Sequence, residues 1–215
     1  MIKIAPSILS ADFAKLGEEI ETVYNADYIH FDVMDGVFVP NISFGLPVLK
    51  SVRSITEITL DVHLMLTHPA QYTARFAKAG GDIITFHVES ETPEKIHAAV
   101  NELHSLGKKS GLSIKPETPV TVLLPYIDAL DLVLVMTVEP GYGGQEFIPE
   151  MLPKISELRG IINSRGLKCE LEVDGGINHD TAKLCIAAGA NVLVAGSDVF
   201  FSSDRVAHIE KLRCS

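Results

Sequence analysis

The chain has 215 residues, 47% apolar and 21% charged, with 28 acids against 18 bases for a net charge of −10. That length buries one large core or two small ones, and the composition is that of an ordinary globular protein. The negative charge argues against nonspecific nucleic-acid binding and against an anionic membrane surface, but it leaves room for a small anionic ligand at a locally positive site.

The N-terminus, "MIKIAPSILSADF", has no basic region followed by a long apolar core, so no secretory leader is expected. Within it "IKIAPS" is the first strand candidate, followed by the helical pattern "KLGEEIETVYN". "YIHFDVMD" and "TLDVHLML" are the second and third strands, and "PAQYTARFAKAG" is the next helix. "DIITFHVE", the helix "PEKIHAAVNELHSLG", "KKSGLSI" and "LVLVMTV" continue the series. The helix "EMLPKISELRGIINSRG" leads to "LKCELEVD", and the helix "HDTAKLCIAAG" leads to the eighth strand, "NVLVAGS". Several helices end in Ala-Gly or Leu-Gly, while Pro69, Pro93 and Pro119 sit near helix starts, where a missing N–H costs least.

Alternating βα units call for parallel strands, and eight of them in a chain of this length suit one α/β domain over 1–215, a (β/α)8 TIM barrel. An open doubly wound sheet is the alternative, because periodicity does not report closure. No apolar stretch approaches the roughly 20 residues that span a bilayer. Cys169, Cys185 and Cys214 form no C-x-x-C pair, which fits reduced thiols and a cytoplasmic protein.

In a barrel, reactive groups belong at the C-terminal strand ends. His30 and Asp32 lie late in the second strand, His63 in the third, His87 in the fourth and Asp174 at the end of the seventh. Side chains alternate faces along a strand, so His30 and Asp32 point the same way and Asp35 does not. Asp35 reads as a turn residue in "DG". Two imidazoles and two carboxylates on one face suit a divalent ion such as Zn, Fe(II), Mn or Co. Taken alone, His63 reads equally as a core histidine bonded to backbone. His87, with no partner nearby in sequence, reads as a supporting or structural residue.

Glycine clusters follow the sixth, seventh and eighth strands: "PGYGGQEF", "DGGI" and "AGS". None is a P-loop. Barrels often hold phosphate on backbone N–H groups of the last loops, which Gly175, Gly176, Gly196 and Ser197 fit, with Gly143 and Gly144 on the preceding loop available as further N–H groups or a mobile lid. Their spacing suits tight turns and helix entries equally well. Met34, Met65 and Met136 sit at strand ends as core filler that can also cap a metal site.

As a set, "APSILSADF", "HFDVMDGVFVPNISFG", "DVHLM", "VMTVEPGYGGQEF", "EVDGGI" and "GANVLVAGS" resemble the ribulose-phosphate 3-epimerases, in order from Ala5 to Ser197. The resemblance implies a (β/α)8 barrel with one divalent metal held by His30, Asp32, His63 and Asp174. It makes Asp32 and Asp174 the acid/base pair and Ser7 a sugar contact, with His63, Met65, Met136 and Gly141 lining the substrate. The phosphate would lie against Gly143, Gly144, Gly175, Gly176, Gly196 and Ser197. Some family members carry Asn-Pro where this chain has "IKPETP" and "VEPGYGG", so Lys115 and Glu139 depart from that version.

The implied reaction converts D-ribulose 5-phosphate to D-xylulose 5-phosphate, in the pentose phosphate pathway, by two-base proton transfer at carbon 3 through an enediolate. A carboxylate of ordinary pKa is a poor base for such a carbon acid, so charge stabilisation by the metal is required. Two acids are needed because one cannot reach both faces of a planar intermediate. Rival readings are the same epimerisation on D-allulose 6-phosphate, a phosphate-binding barrel lyase and a non-catalytic sugar-phosphate sensor. A lyase usually needs a Lys among its acids, and the strand ends offer none. The expected partner is a phosphorylated ketose, with no nucleic acid and no membrane, and a homo-oligomer is left open.

Overall fold

The computed structural model describes all residues 1–215. Eight strands form one parallel sheet: β1 (Lys3–Pro6), β2 (Tyr28–Met34), β3 (Thr59–Met65), β4 (Ile83–His87), β5 (Lys109–Ile114), β6 (Leu132–Met136), β7 (Glu170–Asp174) and β8 (Val192–Ala195). Their order is β1-β8-β7-β6-β5-β4-β3-β2. The two ends meet through a parallel bridge between Ser7 and His30, and Asp27 Oδ2 accepts from the Ile4 N–H at 2.9 Å. The sheet is thereby wrapped into the barrel the alternating pattern predicts, and the open-sheet alternative falls.

The helices are α1 (Leu16–Glu21), α2 (Leu46–Arg53), α3 (Thr73–Ala79), α4 (Pro93–Ser105), α5 (Leu152–Ser164), α6 (His179–Ala188), α7 (Ser197–Phe200) and α8 (Arg205–Arg213). Pro93 occupies the first turn of α4, while Pro69 and Pro119 open 3-10 turns instead. Between β5 and β6 only such turns occur, at Val120–Leu123 and Ile127–Ala129. No helix is long and apolar enough to cross a membrane.

Strand parity divides the core in two. Outward residues such as Phe31, Val62, Phe86, Val133, Val173 and Leu193 pack against the helices in a cluster of 48 buried residues, the main source of hydrophobic stabilisation. Inward residues of β1, β6 and β8 form a smaller apolar cluster that includes Ala5, Leu134, Met136 and Val194. The inner face of β2, β3, β4 and β7 is polar instead, with His30, Asp32, Asp61, His63, Thr85, His87 and Glu172 all buried. A barrel interior is normally filled with branched apolar side chains. Polar groups buried there cost free energy unless they are paired or bound to an ion, which marks this half as the functional one.

Candidate metal centre and active site

Register brings the predicted ligands together. Asp32 of β2 lies beside His63 of β3, and Asp174 ends β7 beside Met136. Asp32 Oδ1 stands 3.3 Å from His30 Nε2 and 3.2 Å from His63 Nδ1. Asp174 Oδ2 is 3.9 Å from each of the same two nitrogens. One donor atom from each of the four residues falls within 4.8 Å of every other, so this cluster is able to hold a metal ion.

The remaining atoms of these side chains are committed elsewhere. His30 Nδ1 lies 2.6 Å from Asp61 Oδ2, the carboxylate–imidazole contact that orients a metal-binding histidine. Its Nε2 is fully buried, faces the cluster and has no hydrogen-bond partner. The Ser7 hydroxyl donates to Asp32 Oδ2 at 2.6 Å, leaving Oδ1 for the cluster. His63 Nε2 is 2.9 Å from His87 Nε2. An orphaned imidazole nitrogen and two carboxylate oxygens aimed at one point fit a divalent cation, and with no thiolate among the donors they do not form a structural zinc site.

The electrostatics are those of a cation site. Burial disfavours the charged form of Asp32, yet the charge and hydrogen bond of His30 hold its carboxyl well below the usual range. His30 shows the reverse balance: burial opposes its charge, and Asp32 and Asp61 raise its pKa well above the ordinary imidazole value. Asp174 is pushed up to about 6, chiefly by burial and then by Asp32. Glu172 is raised by burial and by Asp61. Burial pushes His87 down to about 4. Glu89 is lowered to about 2, because its contacts to His87, Lys115 and Thr118 outweigh its own burial.

Above the cluster opens a cavity of about 440 Å³. Ser7, Met65, Met136, Gly141, Gly143 and Gly144 line it, as do Asp174, Gly175, Gly176, Gly196 and Ser197. His63 lies beneath it, fully buried. The backbone N–H groups of Gly143, Gly144, Gly175, Gly176, Gly196 and Ser197 donate to no other backbone group. A Cβ on Gly196 would meet Ser10 Oγ at 2.6 Å, and one on Gly176 would meet Phe147 N at 2.4 Å. Such a rim of free N–H groups without side chains suits an anion.

The chain matches the ribulose-phosphate 3-epimerase family model over residues 3–200. The chain belongs to this family. A ribulose-phosphate 3-epimerase of Bacillus subtilis is 52% identical over 218 residues, covering 100% of both chains. One from Synechocystis sp. is 50% identical, covering 93% of this chain and 87% of its own. Among solved structures, a 3-hexulose-6-phosphate synthase from Salmonella typhimurium superimposes with a TM-score of 0.77 over 99% of this chain and 97% of its own. At 15% identity that likeness shows a shared fold alone.

Within the ribulose-phosphate 3-epimerase barrel of this chain, Asp35 sits away from the cluster. Its carboxylate accepts from the N–H groups of Val37 and Phe38 at 2.9 and 2.8 Å and from that of Thr67 at 2.6 Å. Met34, Met65 and Val39 pack together as an apolar wall of the site. His87 does have a partner nearby in sequence, contrary to expectation. The 3-10 turn Val88–Ser90 folds Glu89 back, and its Oε2 lies 3.2 Å from His87 Nδ1. The site also contains Asp61 and Glu172, which the sequence motifs do not single out. The period-two rule that pairs His30 with Asp32 also places Asp61 under His63 and Glu172 under Asp174, so strand parity carries the signal.

Proposed function

We infer that this protein interconverts D-ribulose 5-phosphate and D-xylulose 5-phosphate by moving the proton on carbon 3, with Asp32 and Asp174 as its catalytic acid/base pair. The observation that carries the reading is the placement of the two carboxylates. They come from strands separated by β1 and β8 around the ring, yet both reach the floor of the same cavity. Groups so placed can serve opposite faces of a planar enediolate: one removes a proton and the other returns one. General acid/base catalysis of this kind contributes about 10²–10⁴-fold per group.

His30, Asp32, His63 and Asp174 would hold one divalent ion of Zn, Fe(II), Mn or Co. Such an ion, when bound, supplies Lewis-acid stabilisation of the negative charge that develops on the sugar oxygens. Ser7 holds Asp32 through its Oδ2, so that carboxylate keeps one orientation. Met65 and Met136 exclude water from the reacting carbon. Gly143, Gly144, Gly175, Gly176, Gly196 and Ser197 receive the phosphate, with Gly141 shaping the loop above it. Binding a remote phosphate holds the sugar in register for the proton transfer.

Incubation with D-ribulose 5-phosphate in D₂O tests the reaction, the carbon and the cofactor together. Deuterium should enter at carbon 3, and a chelator should stop it until metal is restored. No exchange by fully metallated protein would overturn the reading, and faster turnover of D-allulose 6-phosphate would reassign the substrate.

A further inference from the structure

We propose that His87 and Glu89 form a positioning pair that sets the tautomer of His63, and so decides which atom His63 presents to the metal ion. The proposal rests on the reading of His63 as a metal ligand. It concerns a hydrogen-bonded chain running outward from the metal centre to a loop on the barrel rim.

His87 is fully buried and both ring nitrogens are engaged. Nδ1 lies 3.2 Å from Glu89 Oε2, and Nε2 lies 2.9 Å from His63 Nε2. Two ring nitrogens approach this closely only when one of them carries the hydrogen between them. The Glu89 end decides which. An ionised carboxylate accepts only, and Glu89 Oε1 already accepts from the Lys115 N–H at 2.8 Å and from the Thr118 hydroxyl. The hydrogen of His87 therefore sits on Nδ1, its Nε2 accepts, and His63 Nε2 donates. His63 Nδ1 is left with a bare lone pair, 3.2 Å from Asp32 Oδ1. Two acceptors facing each other at that distance call for a cation. The opposite direction of the chain would put a hydrogen on His63 Nδ1, aimed at Asp32, and no lone pair would remain for an ion.

The chain is anchored against reversal. Lys154 Nζ of α5 donates to the carbonyls of Lys115, Pro116 and Thr118 at 3.2, 2.7 and 2.7 Å, which fixes the loop that holds Glu89. The Phe38 ring lies 4.9 Å from the His87 ring, and Lys115 Nζ sits 4.0 Å from the centre of the Phe38 ring. That cover keeps His87 from turning over.

The test reads tautomers by long-range ¹⁵N NMR on metal-free protein and Zn²⁺ affinity by chelator competition. Wild type should show His63 with its hydrogen on Nε2 and His87 with its hydrogen on Nδ1. Glu89→Gln should shift His63 toward the Nδ1–H form, because an amide can donate to His87 Nδ1. His87→Phe should weaken Zn²⁺ binding by about ten- to a hundredfold, the range for loss of an outer partner of a metal ligand. His87→Gln, which can accept from His63 and donate to Glu89, should recover much of that loss. Wild-type His63 found as the Nδ1–H tautomer would overturn the proposal, as would His87→Phe with wild-type affinity where His63→Ala has lost it. If His63→Ala itself keeps wild-type affinity, the ligand reading of His63 fails and takes the proposal with it. Should His87→Phe not fold, the Glu89→Gln spectrum decides.

Discussion

Asp32 is held at every oxygen. Oδ2 accepts the Ser7 hydroxyl and Oδ1 faces His30 and His63, so this carboxylate is held in one orientation. Asp174 is freer: its side chain retains 17% exposure and makes no contact shorter than 3.9 Å to either histidine. Despite that difference, Asp32→Asn and Asp174→Asn should each lower kcat by about 10²–10⁴-fold, because in the proposed reaction each serves one face of the intermediate. Circular dichroism should be unchanged, since the amide is close in shape. Either variant keeping more than about a tenth of wild-type turnover, far less than the loss general acid/base catalysis implies, would remove its role. Strand parity makes the shared face of His30 and Asp32, and the exclusion of Asp35, legible from sequence, whereas the pairing of Asp32 with Asp174 rests on the family resemblance. Glu89 is not legible, because the 3-10 turn Val88–Ser90 breaks the alternation on which parity depends.

At the scale of elements, the strands are readable because each is a short apolar run, whereas three helices, α2, α7 and α8, are not. α2 buries only Leu49 and Val52, and α8 only Ile209 and Leu212. α7 is a single turn of four residues, and α2 and α8 end at Ser54 and Cys214 without the glycine stop that follows α3 and α6 at Gly80 and Gly189. Closure is equally invisible, since it depends on the Ser7–His30 bridge between the first and second strands. The loops after β6 and β7 carry glycines whose roles separate only in three dimensions. Gly144 has φ +71° and nothing within 4 Å of the place a Cβ would take, while Gly176 has φ +64° and its Cβ would lie 2.4 Å from the backbone nitrogen of Phe147. Gly144→Ala should therefore cost only the left-handed backbone penalty, about 1–2 kcal/mol. Gly176→Ala should cost more, because backbone cannot move aside cheaply, and should also raise KM for the phosphorylated substrate. Denaturant melts of the two variants check this, and equal losses would mean that the loop containing Phe147 yields freely.

For the whole molecule, burial has consequences away from the site. Cys169 and Cys185 are buried and their thiols are pushed up to about 12 chiefly by that burial, whereas Cys214 is exposed. A thiol reagent at pH 8 should label Cys214 quickly and the other two only on denaturation.

The metal centre sets a second global property, because its ligands come from β2, β3 and β7 and an ion there ties the barrel across its polar half. Without metal, Asp174 is a liability: burial, then Asp32, raises its pKa from 3.8 to about 6 in the folded protein. Below about pH 4 the group is protonated in folded and unfolded chains alike and costs nothing. As pH rises toward 6 the unfolded chain releases the proton first, so stability falls, and above 6 the loss is complete at about 3 kcal/mol. Asp174→Asn does not titrate, so in chelator its stability relative to wild type should rise between pH 4 and 6 and then level off. With metal at about a thousand times its dissociation constant, wild type gains about 4.1 kcal/mol that the variant lacks, more than the loss of about 3 kcal/mol, and the order of the two melting temperatures should reverse at pH 7. A gap between wild type and variant that is flat from pH 4 to 6 in chelator would show that Asp174 is solvated well enough to ionise normally, and that the ion is not what makes its burial tolerable.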